Sequence, residues 1–246
     1  MMIDLHTHIL PNVDDGAVSL EDALHMAQLA LESGVYQIVA TPHYNCANSA
    51  TYEEIEHSYM VLCDALEYEQ LPLKLLLGME IFADDDLPRK LVKKEVRTYP
   101  NSKYFLVEFD MDESVDYFER ILEQCVEEGF LPVIAHPERY DAVWESPEIA
   151  NDWCKKGYGV QVNRDSLLGK FGQRAYECAD YLVKHGWANC IASDAHAPYM
   201  RSTYWRESLQ FLLRTYGQRN MMLYLKNNPE RILQGKSILP IRSSEE

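Results

Sequence analysis

The sequence has no apolar run approaching the ~18 residues that a membrane-spanning helix needs, so no span is expected. No two cysteines stand as Cys-x-x-Cys. Cys46, Cys63, Cys125, Cys154, Cys178 and Cys190 are dispersed along the chain, which argues against a disulfide framework and reads as reduced thiols in core or surface positions. Basic residues are scarce. With 23 Lys and Arg against 39 Asp and Glu, the formal net charge is −16. That balance disfavours nucleic acid, whose phosphate backbone needs a basic footprint. It would also repel a phosphorylated ligand unless bound cations reversed the sign locally. No Pro/Gly/Ser-rich stretch divides the chain and no fixed-period repeat occurs. The N-terminus, Met1-Met2-Ile3-Asp4-Leu5-His6, lacks a basic region followed by an apolar run, so no signal peptide and a cytoplasmic location are expected.

With 47% hydrophobic residues in 246, the chain is globular and can bury a large core without disulfides or structural metals. The length is ordinary for a single α/β barrel. Apolar runs alternate with amphipathic stretches throughout. Strands are expected at Ile3–Leu5, Tyr36–Thr41, Leu73–Leu77, Tyr104–Val107, Leu131–Ala135, Gly159–Val162 and Asn189–Ala192. Ser19 with Asp22 and Thr51 with Glu54 are N-terminal signals for helices ending near Gly34 and Glu69. Further helices are expected at Leu87–Val96, Val115–Gly129, from Ser146-Pro147 onward, Phe171–Gly186, Thr203–Tyr216 and Gln218–Lys226. About seven βα units without a linker predict one distorted parallel (β/α)7 barrel over residues 1–240, followed by a frayed tail at 241–246. An open doubly wound sheet is the alternative.

Where the metal-capable residues fall is informative. Of eight histidines, His6, His8, His43, His136 and His196 stand at or just after predicted strand ends, as do Glu80, Glu108 and Asp194. In parallel α/β folds that edge is where active sites assemble. His25, His57 and His185 lie on predicted helices and read as ordinary surface or satisfied side chains. In His6-x-His8 the two imidazoles point the same way from an extended segment. Asp194-x-His196 repeats the pattern with a carboxylate. Either motif alone is weak. Eight candidates at one end of six strands are hard to explain as core packing, because buried His, Asp and Glu are costly without partners. Mixed imidazole and carboxylate donors suit Mn, Zn or Fe, and disfavour Ca or Mg alone.

At this point the chain resembles a known group. The stretches are Ile3-Asp4-Leu5-His6-Thr7-His8-Ile9-Leu10-Pro11, Val13-Asp14-Asp15-Gly16, Ala40-Thr41-Pro42-His43, Gly78-Met79-Glu80-Ile81 and Val107-Glu108-Phe109. They continue with Val133-Ile134-Ala135-His136-Pro137-Glu138-Arg139-Tyr140, Gln161-Val162-Asn163, Ile191-Ala192-Ser193-Asp194-Ala195-His196 and Asn228-Pro229-Glu230-Arg231-Ile232-Leu233. Together they resemble the PHP (polymerase and histidinol phosphatase) superfamily and, within it, the CpsB/CapC branch of manganese-dependent protein-tyrosine phosphatases from capsule and exopolysaccharide operons. The resemblance covers essentially the whole chain. The segment after His196, Ala197-Pro198-Tyr199-Met200-Arg201-Ser202, departs from the branch, which more often has Asn first and a Gly-Arg-Pro-Pro-like run.

The resemblance implies three divalent ions, Mn2+ with Fe or Zn as alternatives. One would take His6, His8, Glu80 and Asp194; a second would share Glu80 and add Glu108 and His136; a third would take Asp15, His43 and His196. Asp14 competes with Asp15. Arg139 and Arg201 would clamp the phosphate oxygens; for Arg139 the competing reading is a surface ion pair with Glu138. Three such ions against four carboxylates leave the site near about +2, which answers the repulsion expected of an acidic protein. Water on such ions falls to a pKa of about 7, so a bridging hydroxide would attack phosphorus in line. A phenolate leaving group, of conjugate pKa about 10, needs little protonation, which a bound water or a nearby histidine such as His43 could supply. Cysteine-dependent tyrosine phosphatases carry Arg six residues after the nucleophile; none of the six cysteines does. The implied partner is the Tyr-rich tail of a bacterial tyrosine kinase. A histidinol-phosphatase-like phosphoesterase and a metal-stabilised module without turnover are the competing readings. The Leu20–Leu31 helix could contribute to homo-oligomer contacts, although an apolar stripe is more often core.

Overall fold

The computed structural model describes residues 2–46 and 49–243. All of its strand pairs are parallel, in two sheets. One sheet joins β1 (Met2–Thr7), β2 (Val35–Ala40) and β4 (Lys74–Leu77). The other joins β3 (His43–Tyr44), β5 (Glu80–Phe82), β6 (Tyr104–Glu108), β7 (Leu131–Ala135), β8 (Gly159–Asn163) and β9 (Cys190–Ala192). β2 and β3 are one strand interrupted at Pro42, which has no N–H to donate to a ladder. β4 and β5 are likewise interrupted at Gly78-Met79. Gly78 N donates to Ala40 O at 2.8 Å and Glu80 N to Pro42 O at 3.1 Å, so the two interrupted strands stay side by side. Counted this way there are seven staves, the number expected. A Thr7↔Ala195 bridge, with Asp194 N to His6 O and His8 N to Ala195 O both at 2.9 Å, brings the chain after β9 against β1. The mixed α/β fold with parallel sheets agrees with the sequence reading, and this contact favours a ring of staves over an open sheet.

The helix signals resolve as expected. Ser19 accepts from Asp22 N at the start of Leu20–Glu32, and Thr51 with Glu54 forms a reciprocal capping box on Tyr52–Tyr68. The apolar stripe of Leu20–Glu32 is core: Ala23, Met26, Ala27 and Ala30 are buried. The two expected C-terminal helices form one stretch, Arg206–Met222, broken where Gly217 takes φ 76° and ψ 162°. A π-helical turn, Leu223–Asn227, follows. Of the tail expected to fray, Ile241 is buried in the core and Arg242 O accepts from Asn220; residues 244–246 lie outside the described residues. No helix among the described residues is long and apolar enough to cross a membrane.

Two apolar layers follow from the alternation of side chains along a strand. One packs the strands against the helices, through residues such as Ile38, Val107, Ile134, Val160, Val162 and Ile191. The other lies among the strands: Ile3, Leu5, Val39, Leu106, Val133, Ala135 and Cys190 pack together with Tyr99, Tyr104 and Ile232. Counting by twos from this inner layer reaches the candidate ligands. Val39 leads to His43 and Leu106 to Glu108. Leu76, which packs on the same layer, leads to Glu80. Thus the lower end of the interior is apolar and the C-terminal end is polar.

Candidate metal centre

β1 and β7 need a backbone irregularity to present their histidines. On β1 the register shifts between Asp4 and Thr7. His136 takes φ 32° and Asp194 φ 49°, left-handed conformations unusual outside glycine. Such strain is held only where surrounding structure enforces it, commonly at functional sites.

All nine candidate ligands converge. Glu80 is fully buried, and its Oε2 lies 3.1 Å from His6 Nε2, 3.1 Å from His8 Nε2 and 3.0 Å from His43 Nδ1. That oxygen nevertheless has no partner in hydrogen-bonding geometry. Glu80 Oε1 meets His136 Nε2 at 2.9 Å, and Glu108 Oε2 is 3.4 Å from the same nitrogen. Asp194 Oδ1 is 3.5 Å from both His6 Nε2 and His8 Nε2, and 3.6 Å from His196 Nδ1. Asp15 Oδ1 stands 3.5 Å from His43 Nε2 and 3.3 Å from His196 Nε2.

Three groups of donors could each surround a cation: His6, His8, Glu80 and Asp194; His43, Glu80 and Glu108; and His8, Asp15, His43 and His196. The first is the set expected. The second has His43 where His136 was expected, with His136 adjoining through both carboxylates. The third gains His8. An orphaned buried oxygen ringed by three imidazole nitrogens, with His6 Nε2 and His8 Nε2 3.2 Å apart, is a donor set that fits borderline divalent ions.

The electrostatics point the same way. Burial opposes ionisation of Glu80 and Asp194, yet the histidines, His6 foremost, hold both carboxyls well below their ordinary range. Burial equally opposes a charge on His136, but Glu108 and Glu80 outweigh it and raise its pKa to about 10. For His8, burial is outweighed by Asp14, which lifts it well above the usual value. Without cations, protons balance these carboxylates.

The two neighbouring aspartates take different roles. Asp14 is half-buried as a residue, but its side chain is only 4% exposed. Its Oδ2 accepts from His8 Nδ1 at 2.7 Å and His43 N at 3.0 Å, and its Oδ1 from Gly16 N at 2.9 Å. Its oxygens are occupied in orienting two ligands. Asp15 is 68% exposed and faces the His43–His196 pair.

Several residues that carried no assigned role in the sequence support this centre. Gln161 Oε1 meets His6 Nδ1 at 2.8 Å, Gln161 Nε2 donates to Asn163 Oδ1 at 2.8 Å, and Asn163 Nδ2 donates to Asp194 Oδ2 at 2.6 Å. All four are buried. Two buried amides on alternate positions of an otherwise apolar β8 were the available signal; outer contacts of this kind fix ligand tautomer and direction. Glu138 does not pair with Arg139: it is buried, and its Oε1 accepts from Asn163 N at 3.0 Å and Ser166 Oγ at 2.6 Å. Arg139 and Arg201 instead point to Asp194 Oδ2, at 3.8 and 2.6 Å. His25, His57 and His185 lie on or beside helices, away from these donor groups; His25 meets the Tyr199 ring and His185 stacks on Tyr181.

Fold and site together define a parallel α/β protein with a clustered histidine–carboxylate centre at the C-terminal ends of its strands, edged by two arginines. The family described as "Capsular polysaccharide synthesis, CpsB/CapC" matches residues 2–234. The chain is 33% identical over 241 residues to the tyrosine-protein phosphatase YwqE of Bacillus subtilis, covering 96% of this chain and 93% of that one. It is 30% identical over 243 residues to CapC of Staphylococcus aureus, covering 97% and 91%. A crystal structure from work on YwqE of Bacillus subtilis and CpsB of Streptococcus pneumoniae, described as unique metal-dependent tyrosine phosphatases, superposes with a TM-score of 0.90 at 32% identity over 98% of each chain. The chain belongs to the CpsB/CapC family.

Proposed function

We propose that this protein is a metal-dependent protein-tyrosine phosphatase acting in bacterial polysaccharide synthesis. The observation that carries the reading is the adjacency of a complete histidine–carboxylate centre and two arginines, joined through the two oxygens of Asp194. Its metal-dependent tyrosine phosphatase relatives support the same chemistry. Three divalent ions, with Mn2+ favoured and Fe or Zn as alternatives, would be held by His6, His8, Glu80 and Asp194; by Glu80, Glu108 and His136; and by Asp15, His43 and His196. When bound, the ions supply a nucleophile from water at neutral pH and neutralise phosphate charge.

The chain's own residues do the rest. Arg139 and Arg201 present guanidinium donors to the phosphate oxygens and hold a dianion inside a protein of net charge −16. Glu80 and Asp194, kept ionised, balance the cations. In the reaction a water oxygen bonds to phosphorus, the phosphorus–phenolic oxygen bond breaks, and the phenol leaves with a proton. Because a phenol's pKa is about 10, no strong acid is required, and a water at the open rim beside the 24%-exposed His43 can supply that proton. The substrate is the Tyr-rich tail of a bacterial tyrosine kinase, a flexible segment that can reach an open site.

The test is hydrolysis of a phosphotyrosine peptide by metal-stripped protein, with Mn, Zn, Fe and Mg restored separately and histidinol phosphate as the competing substrate. Peptide hydrolysis restored by Mn and absent in chelator is expected. Equal rates in chelator and in Mn would sink the metal mechanism, and preference for histidinol phosphate would move the protein to the phosphoesterase reading. Metal binding without turnover of either substrate would favour the non-catalytic module.

A further inference from the structure

We propose that Phe171 is a positioning residue that holds both arginines of the phosphate clamp in one shared arrangement. The assignment rests on the reading of Arg139 and Arg201 as that clamp. Arg139 follows β7 and Arg201 follows β9, so no single element fixes them relative to each other. Both guanidinium carbons nevertheless lie against one aromatic ring, Arg139 Cζ at 5.0 Å and Arg201 Cζ at 5.4 Å from the Phe171 centroid.

Two like charges brought together repel, and here two features offset that. Asp194 Oδ2 faces both guanidinium groups, Arg201 closely at 2.6 Å and Arg139 at 3.8 Å, and the negative face of the ring attracts both cations. A guanidinium is planar with five donors in a fixed fork. Arg201, with one edge on Asp194 and its group against the ring, has its tilt set; Arg139, farther from the carboxylate, depends more on the ring.

The turn that carries the ring is itself held. Phe171 sits in the turn between the helices Arg164–Leu167 and Gln173–Lys184, flanked by Gly169 at φ 74° and Gly172 at φ 92°, left-handed conformations that suit glycine. Gly169 N donates to Ser166 O at 2.9 Å and Lys170 N to Asp165 O at 3.0 Å. Asp165 also pairs with the buried Arg164 at 2.9 Å. Arg164 then donates to Ser202 O at 2.8 Å and Tyr204 O at 3.0 Å, in the segment that directly follows Arg201. The turn carrying the ring and the loop carrying Arg201 are therefore tied to the same buried guanidinium. Arg201, a non-glycine residue at φ 49°, is held in its turn by His196 N donating to Arg201 O at 2.9 Å.

Inorganic phosphate is the probe that separates the roles this ring could play, because it has no aryl group to stack. In the Mn-loaded protein, Phe171→Leu keeps apolar volume but removes the ring's electron-rich π-face. It is expected to weaken competitive inhibition by phosphate about 10-fold, with a matching rise in KM for a phosphotyrosine peptide. Mn affinity and the thermal midpoint stay unchanged. Phe171→Tyr is expected to behave as the parent, and Phe171→Ala to be at least as impaired as Phe171→Leu, with circular dichroism checking its fold. Parent-like phosphate inhibition in Phe171→Leu, beside weakened inhibition in Arg139→Ala, overturns the role of Phe171 while leaving the clamp intact. A defect seen with the aryl substrate but not with phosphate also overturns it, placing the ring against the leaving group. Unchanged inhibition in both Arg139→Ala and Arg201→Ala overturns the clamp and the assignment with it.

Discussion

Arg201 Nη2 lies 2.6 Å from Asp194 Oδ2, while the other oxygen of the same carboxylate faces His6, His8 and His196 at 3.5–3.6 Å. One carboxylate thus faces the clustered imidazoles with one atom and the arginine proposed to bind phosphate with the other. If the proposed roles hold, this ties the metal centre to the phosphate clamp through a side chain that is 2% exposed. Arg139, at 3.8 Å from the same oxygen, is held more loosely.

Removing Arg201 should therefore damage more than a surface charge. Arg201→Ala is expected to lower kcat/KM for a phosphotyrosine peptide by about 10²–10³, the usual effect of losing one donor to a developing oxyanion. Arg201→Lys should recover only part of it, since an ammonium cannot contact Asp194 and the phosphate with a planar fork. Steady-state kinetics at saturating Mn measures both. Parent-like kinetics in Arg201→Ala would remove this arginine from the site.

Asp14 and Asp15 should separate by the kind of damage their loss causes. Asp14→Asn removes a charge-assisted bond to His8 from a buried position and should cost about 1.5–3 kcal/mol in denaturant unfolding of the metal-free protein. Although burial opposes its ionisation, His8 lowers the folded pKa of Asp14. Its stabilisation is therefore present above the unfolded value of about 3.9 and is lost as pH falls through the lower folded value. The mutant should accordingly lose part of the parent's decline below about pH 4. Asp15→Asn, at an exposed position, should leave stability within about 0.5 kcal/mol and instead reduce the number of ions bound, counted by elemental analysis after gel filtration. The reverse pattern would make Asp14 the ligand.

The strand ends of the chain are legible because their signals are local. Glu108 terminates β6 and Asn163 terminates β8, and period-two counting from Leu106 and Gly159 carries each inward. His136 and Asp194 were legible as residues but not as geometry: each depends on a left-handed backbone conformation for which neither side chain is the usual signal. The choice between Asp14 and Asp15 was hidden for a related reason. Adjacent residues in a loop obey no periodicity, and their directions are set by hydrogen bonds to His8, His43 and Gly16. Phe171 read only as the first residue of a helix, because the two arginines that meet its ring come from different strand ends.

Loading the metal-free centre should expel protons. Burial resists protonation of His8, His43 and His136, but Asp14, Glu80 and Glu108 raise all three, His136 to about 10. A group raised in the folded state stabilises the metal-free fold fully below its unfolded value, about 6.5. That stabilisation is lost as pH rises through the folded value, so the stripped protein should weaken between about pH 7 and 10. Over the same range Mn affinity should increase, because each imidazole must give up its proton to bind. Calorimetric titration with Mn in buffers of differing ionisation enthalpy counts the protons. At least one released at pH 7 is expected, and none would mean that the imidazoles are already neutral.

Gly16 is the residue whose replacement should best report on the loop that carries both aspartates. A Cβ there would fall 2.1 Å from His8 O, 2.5 Å from His8 Cβ and 2.9 Å from Asp14 Oδ1, closer than atoms can approach. Two of those three contacts are rigid main-chain or Cβ atoms, so the loop itself must move. Doing so breaks Ala17 N to His8 O, now 3.0 Å, and displaces the Asp14 carboxylate from His8 and His43. Gly16→Ala should therefore cost about 1–3 kcal/mol, as overpacking does, and also weaken Mn binding and activity. Gly34→Ala is the matched control. Gly34 has φ 87° with open space around its missing Cβ, so its replacement adds only left-handed strain, about 1–2 kcal/mol, far from the centre. Both variants should unfold more easily in denaturant, but only Gly16→Ala should lose affinity for Mn. If Gly16→Ala binds Mn as the parent does, the loop does not hold Asp14 and His8 in the packing described. If both variants lose it equally, the centre is responding to global stability and not to local geometry.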